Sequence, residues 1–332
     1  TVAVSGSNLR VHSAAGGSLD INGLTAGDVA LDDTSPFYDT TLAANRKATM
    51  QRLGGYLAIG VSELRLTLTS GLSVTTADVT AAGTLYLTPH VGNRIRIYDG
   101  TRWNEYQTAE VSLALTLTSG FNYDVFAYDS GGTVTLETLV WTNDTTRATA
   151  LTTQDGVLVK SGATTRLYLG TVRASAANQT EDSAAKRFCW NMYNRVPRAM
   201  GVAGPGSDHN YTTATWRQFA ADATMQLAYV CGLAHNRVLA EACAANYNSG
   251  GNTGAPTGIG VDSTSVNSAQ LWEGATHQAT AAFTGIAKYR GVPGIGYHYL
   301  AWLEYSDATG TTTWYGRTSA WNGCGIAGEV MA

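Results

Sequence analysis

The sequence predicts an all-β protein made of modular β-sandwich domains, and three observations carry this prediction. Short runs alternate apolar residues with Thr or Tyr, which is the period of a strand with one buried face. Leu64–Ser70 reads LRLTLTS, and Leu113–Ser119 reads LALTLTS. Glycine-containing turns separate the runs, and the hexapeptide LTLTSG occurs at both 66–71 and 115–120. Two equivalent strands that enter equivalent turns explain this recurrence better than a repeat array does.

The first segment, residues 1–60, is predicted to be an extended arm that carries one short helix. Residues 1–38 are rich in Gly, Ser, Asp and Ala with isolated apolar residues, so they bury little surface by themselves. We therefore expect contacts with a partner to order the arm. Thr40–Leu53 is the best helix candidate, since Leu42, Thr49 and Leu53 would share one helical face and Gly54-Gly55 follows as a stop signal.

Residues 61–180 are predicted to form a central β domain. Strand candidates alternate with turn signals such as Asp99-Gly100 and Ser161-Gly162, at a spacing typical of a sandwich or barrel. Ser175–Ala185 reads SAANQTEDSAA, which is small, polar and without period. We interpret this stretch as a linker to the next domain.

Residues 186–332 are predicted to form a C-terminal jelly-roll-like domain, because about eight or nine strand candidates fit into that length. One candidate, Arg237–Asn246, is ambiguous, since its Ala, Leu and Glu content also suits a helix. The strand Tyr297–Tyr305 reads YHYLAWLEY and is largely apolar or aromatic on both faces. A strand with one solvated face would instead be polar at alternate positions.

One face of this last strand needs a cover from outside the sandwich core. It shows His298, Leu300, Trp302 and Glu304, and we expect a neighbouring copy of the chain to cover it. These four residues are therefore the predicted self-association interface. A loop of the same chain that covers the face is the alternative, and the sequence leaves it open.

Composition excludes two classes of partner. Charged residues make up only 14% of the chain and the net charge is −4, so we expect a Ser/Thr/Asn surface or extensive contact between copies. No basic run supports nucleic-acid binding, and no apolar stretch is long enough for membrane insertion. The cysteines, Cys189, Cys231, Cys243 and Cys324, form no C-x-x-C pair and are interpreted as buried free thiols. A Cys231–Cys243 bridge is the alternative.

Several segments resemble modules of tailed-bacteriophage fibre and tail proteins. They include LYLTP at 85–89, YDGTRW at 98–103, NYDVFAYD at 122–129, QDGVLVKSG at 154–162 and EDSAAKRF at 181–188. The resemblance covers roughly residues 84–200 and 258–332. It implies a virion protein, assembled in the host cytoplasm, that forms a homotrimer with the C-terminal domain at its tip. The arm would then contact other virion proteins, on the tail, the head or a collar.

Catalytic and metal-binding motifs are absent from the sequence. It contains no H-E-x-x-H, G-x-S-x-G or P-loop, and its histidines show no metal-ligand spacing. We therefore expect neither enzymatic activity nor a metal or other cofactor. Polysaccharide cleavage needs two carboxyl groups about 5–9.5 Å apart in a cleft. Sequence alone does not pair the carboxylates of the last domain, and a depolymerase spike stays an alternative.

Aromatic residues near predicted loops and strand ends are the best binding candidates, since sugars stack their apolar ring faces on Trp and Tyr. With one neighbouring histidine, the candidates are His209, Tyr211, Trp272, Trp314, Tyr315 and Trp321. Packing is the alternative role for each of them. The predicted function is a homotrimeric tail fibre or spike subunit that contributes to recognition of a host-surface glycan. A purely architectural head or collar fibre, or a decoration protein, is the runner-up.

Overall fold

The computed structural model confirms the all-β prediction, since strands account for nearly all regular structure in the described residues. The chain divides into two compact units, Thr1–Ile59 and Gly60–Ala332. The structure describes residues 2–5, 8–11, 34–39, 44–49, 61–250, 253–273, 276–277, 281–316 and 323–332.

The first unit contains two antiparallel hairpins. Strand β1 (Val2–Ser5) pairs with β2 (Asn8–Val11), and β3 (Thr34–Asp39) pairs with β4 (Ala44–Thr49). The helix predicted over Thr40–Leu53 is therefore wrong at β4, and the other residues of that prediction lie outside the described ones. A short helix is marginal by itself because its nucleation is costly, whereas a hairpin satisfies the same backbone groups on the neighbouring strand.

The first part of the second unit is a set of short strands around one core. The strands are β5 (Leu64–Thr67), β6 (Val79–Ala82), β7 (Thr84–Pro89), β8 (Arg94–Tyr98), β9 (Trp103–Gln107), β10 (Val111–Ala114), β11 (Asn122–Ser130), β12 (Thr133–Val140), β13 (Leu151–Gln154), β14 (Val157–Lys160), β15 (Ala163–Ala176) and β16 (Gln179–Asp182). The alternating apolar residues, such as Leu66, Leu87, Ile97, Val125 and Leu169, are all buried in this core.

The second part is a two-sheet sandwich. Its strands are β17 (Lys186–Arg187), β18 (Cys189–Asn191), β19 (Pro197–Ala203), β20 (His209–Tyr211), β21 (Arg217–Gln218), β22 (Gln226–Cys231), β23 (Val238–Asn248), β24 (Thr253–Gly254), β25 (Thr257–Val261), β26 (Leu271–Trp272), β27 (Thr276–His277), β28 (Phe283–Gly291), β29 (Gly296–Glu304), β30 (Thr312–Tyr315) and β31 (Gly325–Met331), with a 3₁₀ turn at Phe219–Ala221. One sheet contains β21, β22, β25 and β29, and the other contains β19, β20, β23, β26, β28, β30 and β31. Leu227 and Leu300 of the first sheet share a core with Ala242 and Ile326 of the second.

The linker predicted at Ser175–Ala185 is wrong, because β15 and β16 occupy most of it. A 13-stranded sheet runs from β12 through β11, β15, β16, β17, β22 and β29 to β21, so residues 61–180 and 186–332 lie in one compact unit. The polar composition suggested a loop, but the charged side chains of this segment are buried in ion pairs. Asp182 of β16 accepts hydrogen bonds from Arg187 at 2.9 Å and from Arg198 at 2.8 Å.

The structure decides two alternatives that the sequence left open, the helix or strand at Arg237–Asn246 and the Cys231–Cys243 bridge. Residues 238–248 form β23, which pairs with β28 on one side and with β31 and β30 on the other. All four cysteines are free; three are buried as predicted, and Cys243 is half-buried. Burial raises the pKa of Cys189 and of Cys231 to about 12, so both stay protonated at neutral pH. Within the described ranges, no helix has the length and apolar character needed to cross a membrane.

Candidate functional site

Three of the predicted glycan-binding residues are held inside the C-terminal sandwich. Trp314 is fully buried and lies edge-on to Phe219, with 5.8 Å between the ring centroids. Tyr211 is also buried, and its hydroxyl group bonds to a backbone carbonyl of the same loop at 2.8 Å. The half-buried ring of His209 lies with Nε2 2.5 Å from a carboxylate oxygen of Glu304. Trp314 and Tyr211 support the fold and offer no free face, so their assignment to a ligand site is wrong.

The other three candidates differ in exposure. Tyr315 is half-buried, with its ring centroid 5.9 Å from that of Tyr247. Trp321 lies outside the described residues. Trp272 lies at the surface with 53% of the residue exposed, although Trp is usually one of the more buried residue types. Trp272 is therefore the predicted candidate from which a binding site can be built.

Trp272 belongs to a row of three aromatic side chains, Trp272, Trp216 and Tyr305, that we call the aromatic platform. The ring centroids of Trp272 and Trp216 are 6.1 Å apart with an interplanar angle of 89°. Those of Trp216 and Tyr305 are 5.3 Å apart with an angle of 48°. Such edge-to-face and tilted pairs are the geometries that aromatic rings prefer. Trp216 and Tyr305 are half-buried, so the rings are supported by the protein while part of each stays accessible.

Strand pairing explains why residues so distant in sequence meet here. β21 pairs with β29, with Arg217 opposite Glu304, so Trp216 and Tyr305 are neighbours one residue beyond that pair. Trp272 comes from the short strand β26, which pairs with β28 in the other sheet. The platform therefore joins the two sheets of the sandwich at the surface.

A glycine lets the central tryptophan lie close to the backbone. A Cβ atom at Gly258 would lie 2.8 Å from Cζ3 of Trp216 and 2.9 Å from Oδ1 of Asn267, so a larger residue would displace one of them. Oδ1 of Asn267 accepts hydrogen bonds from the backbone N–H groups of Ile259 at 3.1 Å and Ala269 at 3.0 Å. Its amide NH₂ group has no protein partner within the described ranges. Two hydrogen-bond donors are thus left beside an aromatic ring.

A buried carboxylate fixes the strand that carries Trp216. Glu304 is fully buried; its Oε1 accepts a hydrogen bond from Nε of Arg217 at 2.7 Å, and its Oε2 faces His209. The guanidinium carbon of Arg217 lies 3.9 Å from the ring centroid of Tyr211. Removing one partner of such a buried pair is strongly destabilising, so the arrangement favours one conformation of β21. The platform therefore rests on a rigid support.

The predicted self-association interface is wrong. Its four residues, His298, Leu300, Trp302 and Glu304, are all buried within a single chain. Trp302 stacks on Phe219 with 3.6 Å between ring centroids, and its indole N–H donates to the hydroxyl of Thr257 at 2.9 Å. The Phe219–Ala221 turn and the second sheet of the sandwich therefore cover this face of β29, so the cover comes from the same chain.

The opposite face of β29 is also largely covered by the same chain. Tyr297 packs against Phe188 with 5.9 Å between ring centroids, and the guanidinium carbon of Arg173 lies 3.6 Å from the Tyr297 ring. Tyr297 and Tyr299 are half-buried, and burial raises the pKa of both phenol groups. The mixed apolar pattern of the strand thus reflects a central position in a sheet rather than contact between copies.

Three members of the site, Trp216, Tyr305 and Asn267, were not predicted from the sequence. Trp216 directly precedes the two-residue strand β21, which is too short to show a period. The predicted strand included Tyr305, whereas the observed strand β29 ends at Glu304. The alternation of apolar residues does not show that Tyr305 lies just beyond this end. The usable signal was Trp216 itself, because a Trp within the polar stretch TTATWRQ at 212–218 has to be buried in a core or to contact a ligand.

Among the residues that the structure describes, no group of three His, Cys, Asp or Glu side chains is arranged to hold a metal ion. The remaining polar pairs near the sandwich surface bind backbone or one another. His298 lies with Nδ1 2.8 Å from Oδ2 of Asp262, and Asp307 accepts from the backbone N–H of Gly254 at 2.7 Å.

No family model matches this sequence, and no curated protein matches it. Solved structures give weak similarities. The insecticidal delta-endotoxin Cry8Ea1 from Bacillus thuringiensis shares 9% identity at a TM-score of 0.24, over 85% of this chain and 55% of the toxin chain. A Cry1Da tryptic core variant from the same organism shares 6% at 0.22, over 92% and 59%. The Gx strain structure of infectious bursal disease virus shares 12% at 0.19, over 81% and 78%. The chain thus spans little more than half of either toxin, and scores this low assign neither family nor function.

Proposed function

We propose that this chain is a non-enzymatic structural subunit of a phage virion and that the aromatic platform binds a carbohydrate on the host surface. The observation that carries the proposal is the platform itself. Trp272 is 53% exposed and continues through Trp216 to Tyr305, with the free amide of Asn267 beside Trp216. Aromatic faces bind the apolar face of a pyranose ring, and amide donors bind its hydroxyl groups.

The surroundings of Trp272 favour a binding role over accidental exposure. Leu271, the neighbour of Trp272 in β26, is also exposed, at 66%. Large apolar residues exposed near one another mark interaction surfaces on soluble proteins more often than scattered single residues do. A sugar fits a short row of rings better than a helix or a flat protein surface does, because the row is narrow and has polar neighbours.

Placement on a virion rests on the resemblance of residues 84–200 and 258–332 to phage fibre and tail modules, together with the low content of charged residues. The homotrimer rests on the same resemblance, since the strand face that favoured self-association is buried within one chain. Three weak glycan sites on one spike would bind a repetitive surface with avidity. Native mass measurement tests this part separately: a species of three times 35.0 kDa is expected, and a stable monomer would contradict it.

A glycan array tests the binding role. The full chain is applied to neutral bacterial O-polysaccharides and oligosaccharides, and we expect binding to a subset of them. The Trp272→Ala variant should bind that subset about tenfold more weakly or worse, since removing an aromatic anchor costs about 2 kcal/mol or more and about 1.4 kcal/mol is tenfold in affinity. Leu72→Ala is the matched control, because it removes an apolar side chain of similar exposure, 51%, from residues 61–180. Equal binding by wild type and Trp272→Ala would overturn the proposal.

A further inference from the structure

A pocket of about 580 Å³ lies apart from the residues of the aromatic platform. It is formed by the loop at 192–195, by the turn at 235–237 and by Met331 at the end of β31. Arg195, His235 and Arg237 line it, and no Asp or Glu does. We call it the basic pocket.

The two arginines of the basic pocket have no carboxylate partner among the described residues. Most described arginines have a carboxylate partner; Arg147, for example, lies 2.6 Å from Asp124. Among the ion pairs of described residues, none includes Arg195, Arg237 or His235. Two guanidinium groups that share a concave surface repel each other, and a bound anion would turn that repulsion into attraction.

One of the two guanidinium groups is held in position in advance. Arg195 donates to Oδ1 of Asn236 at 3.0 Å, and its guanidinium carbon lies 5.3 Å from the ring centroid of Trp190. Asn236 is itself buried, and its Nδ2 donates to the backbone carbonyl of Met331 at 2.9 Å. The other N–H groups of Arg195 have no protein partner within the described ranges. A fixed guanidinium with free donors loses little conformational entropy when it binds an anion.

We propose that the basic pocket binds the carboxylate group of an acidic sugar, such as a uronic acid. A guanidinium group matches a carboxylate in shape and forms two parallel hydrogen bonds with it. Tyr193 and Met331 line the same pocket and supply apolar surface for the pyranose ring. The amide groups of Asn194 and Asn236 are already used by the fold, because Asn194 donates to the carbonyl oxygens of Ser62 and Leu64. Charge therefore dominates the recognition.

Titration of the full chain with D-glucuronate, followed by calorimetry or ligand-observed NMR, tests this proposal. We expect glucuronate to bind and D-glucose, which lacks the carboxylate, not to bind. Arg237→Gln should weaken glucuronate binding about tenfold or more, because it removes a charged partner of the carboxylate. The fold should be unaffected, since the Arg237 side chain forms no hydrogen bond or ion pair with the described residues. Arg102→Gln is the matched control, since it removes the same charge from an exposed arginine of the β8–β9 hairpin, outside the pocket. It should leave the affinity unchanged.

Three results would overturn the assignment. Equal loss in Arg237→Gln and Arg102→Gln would mean that net charge, and not the pocket, attracts the ligand. Equal affinity for inorganic sulfate would identify a simple oxyanion site without a sugar subsite. Binding of glucose as tightly as glucuronate would remove the role of the carboxylate. Trp272→Ala should retain glucuronate binding, so failure of this proposal and failure of the platform proposal are separable.

Discussion

Two aromatic clusters of the C-terminal sandwich have similar chemistry and opposite exposure. In the core, Phe219 and Trp302 stack at 3.6 Å between centroids, and both are fully buried. At the surface, Trp216 contacts Trp272 at 6.1 Å, and Trp272 is largely exposed. Both clusters take one residue from the segment at 216–219, so a few residues of chain separate a core role from a binding role.

Aromatic content therefore does not distinguish a packing role from a binding role. The distinction depends on whether other parts of the chain cover the rings. Trp302 is covered by the Phe219–Ala221 turn and lies in the core between the two sheets, where its indole N–H donates to Thr257 of the neighbouring strand β25. Trp272 lies on the short strand β26, and nothing described in the chain covers its outer surface. A buried aromatic cluster stabilises the fold through the area it removes from water, whereas an exposed one keeps that free energy available for a ligand.

The largest expected effect separates the clusters by stability. Trp302→Ala should lower the free energy of unfolding by about 3–5 kcal/mol, because it leaves a large cavity beneath Phe219. Trp272→Ala, the matched exposed change, should alter it by no more than about 0.5 kcal/mol. Urea unfolding followed by circular dichroism measures both. Similar losses in the two variants would mean that Trp272 is part of the core and that the comparison fails.

The next effect concerns the support beneath the platform. Glu304→Gln keeps the shape of the side chain but removes the charge that faces Arg217 and His209, so we expect a loss of about 2–3 kcal/mol of stability. Glu137→Gln is the control, since Glu137 pairs with Lys160 and Arg166 at the surface and should cost less than about 1 kcal/mol. Thermal unfolding of both variants gives the comparison, and an unchanged melting temperature for Glu304→Gln would contradict the rigid support.

The smallest effect is a displacement of the platform. Gly258→Ala places a methyl group against Trp216 and should cost about 1–2 kcal/mol through overpacking. It should also weaken binding of the array-selected glycan, because Trp216 must move. Gly201→Ala is the control, since a Cβ at that position meets no atom within 4 Å. If Gly258→Ala bound the glycan as well as Gly201→Ala did, Trp216 would have no part in the site.

Local pattern predicted the all-β class and much of the first core. The alternation at 64–67 placed Leu64 and Leu66 on β5, and both are buried against the neighbouring sheet. The same reasoning failed at Ser175–Ala185, because a strand whose polar side chains form buried ion pairs looks like a loop in composition. It failed at Ala44–Thr49 because helix propensity is a weak preference that hairpin pairing overrides.

The candidate site was only partly predictable. Trp272 was named from its sequence position, but Trp216 and Tyr305 become its neighbours only through the pairing of β21 with β29 and the packing of two sheets. The buried face of β29 shows the opposite error. The apolar residues on both faces of the strand correctly predicted that this face is buried. They did not indicate whether a second copy or the same chain buries it.

The most direct test of the central claim is the response of each indole N–H signal to the sugar that the array selects. The chain has 8 tryptophans, and ¹⁵N-labelled protein with single Trp→Phe variants assigns their signals. We predict that addition of the sugar shifts the signals of Trp216 and Trp272 and leaves those of Trp302 and Trp314 unchanged. A sugar that binds while the Trp216 and Trp272 signals stay in place would contradict the account.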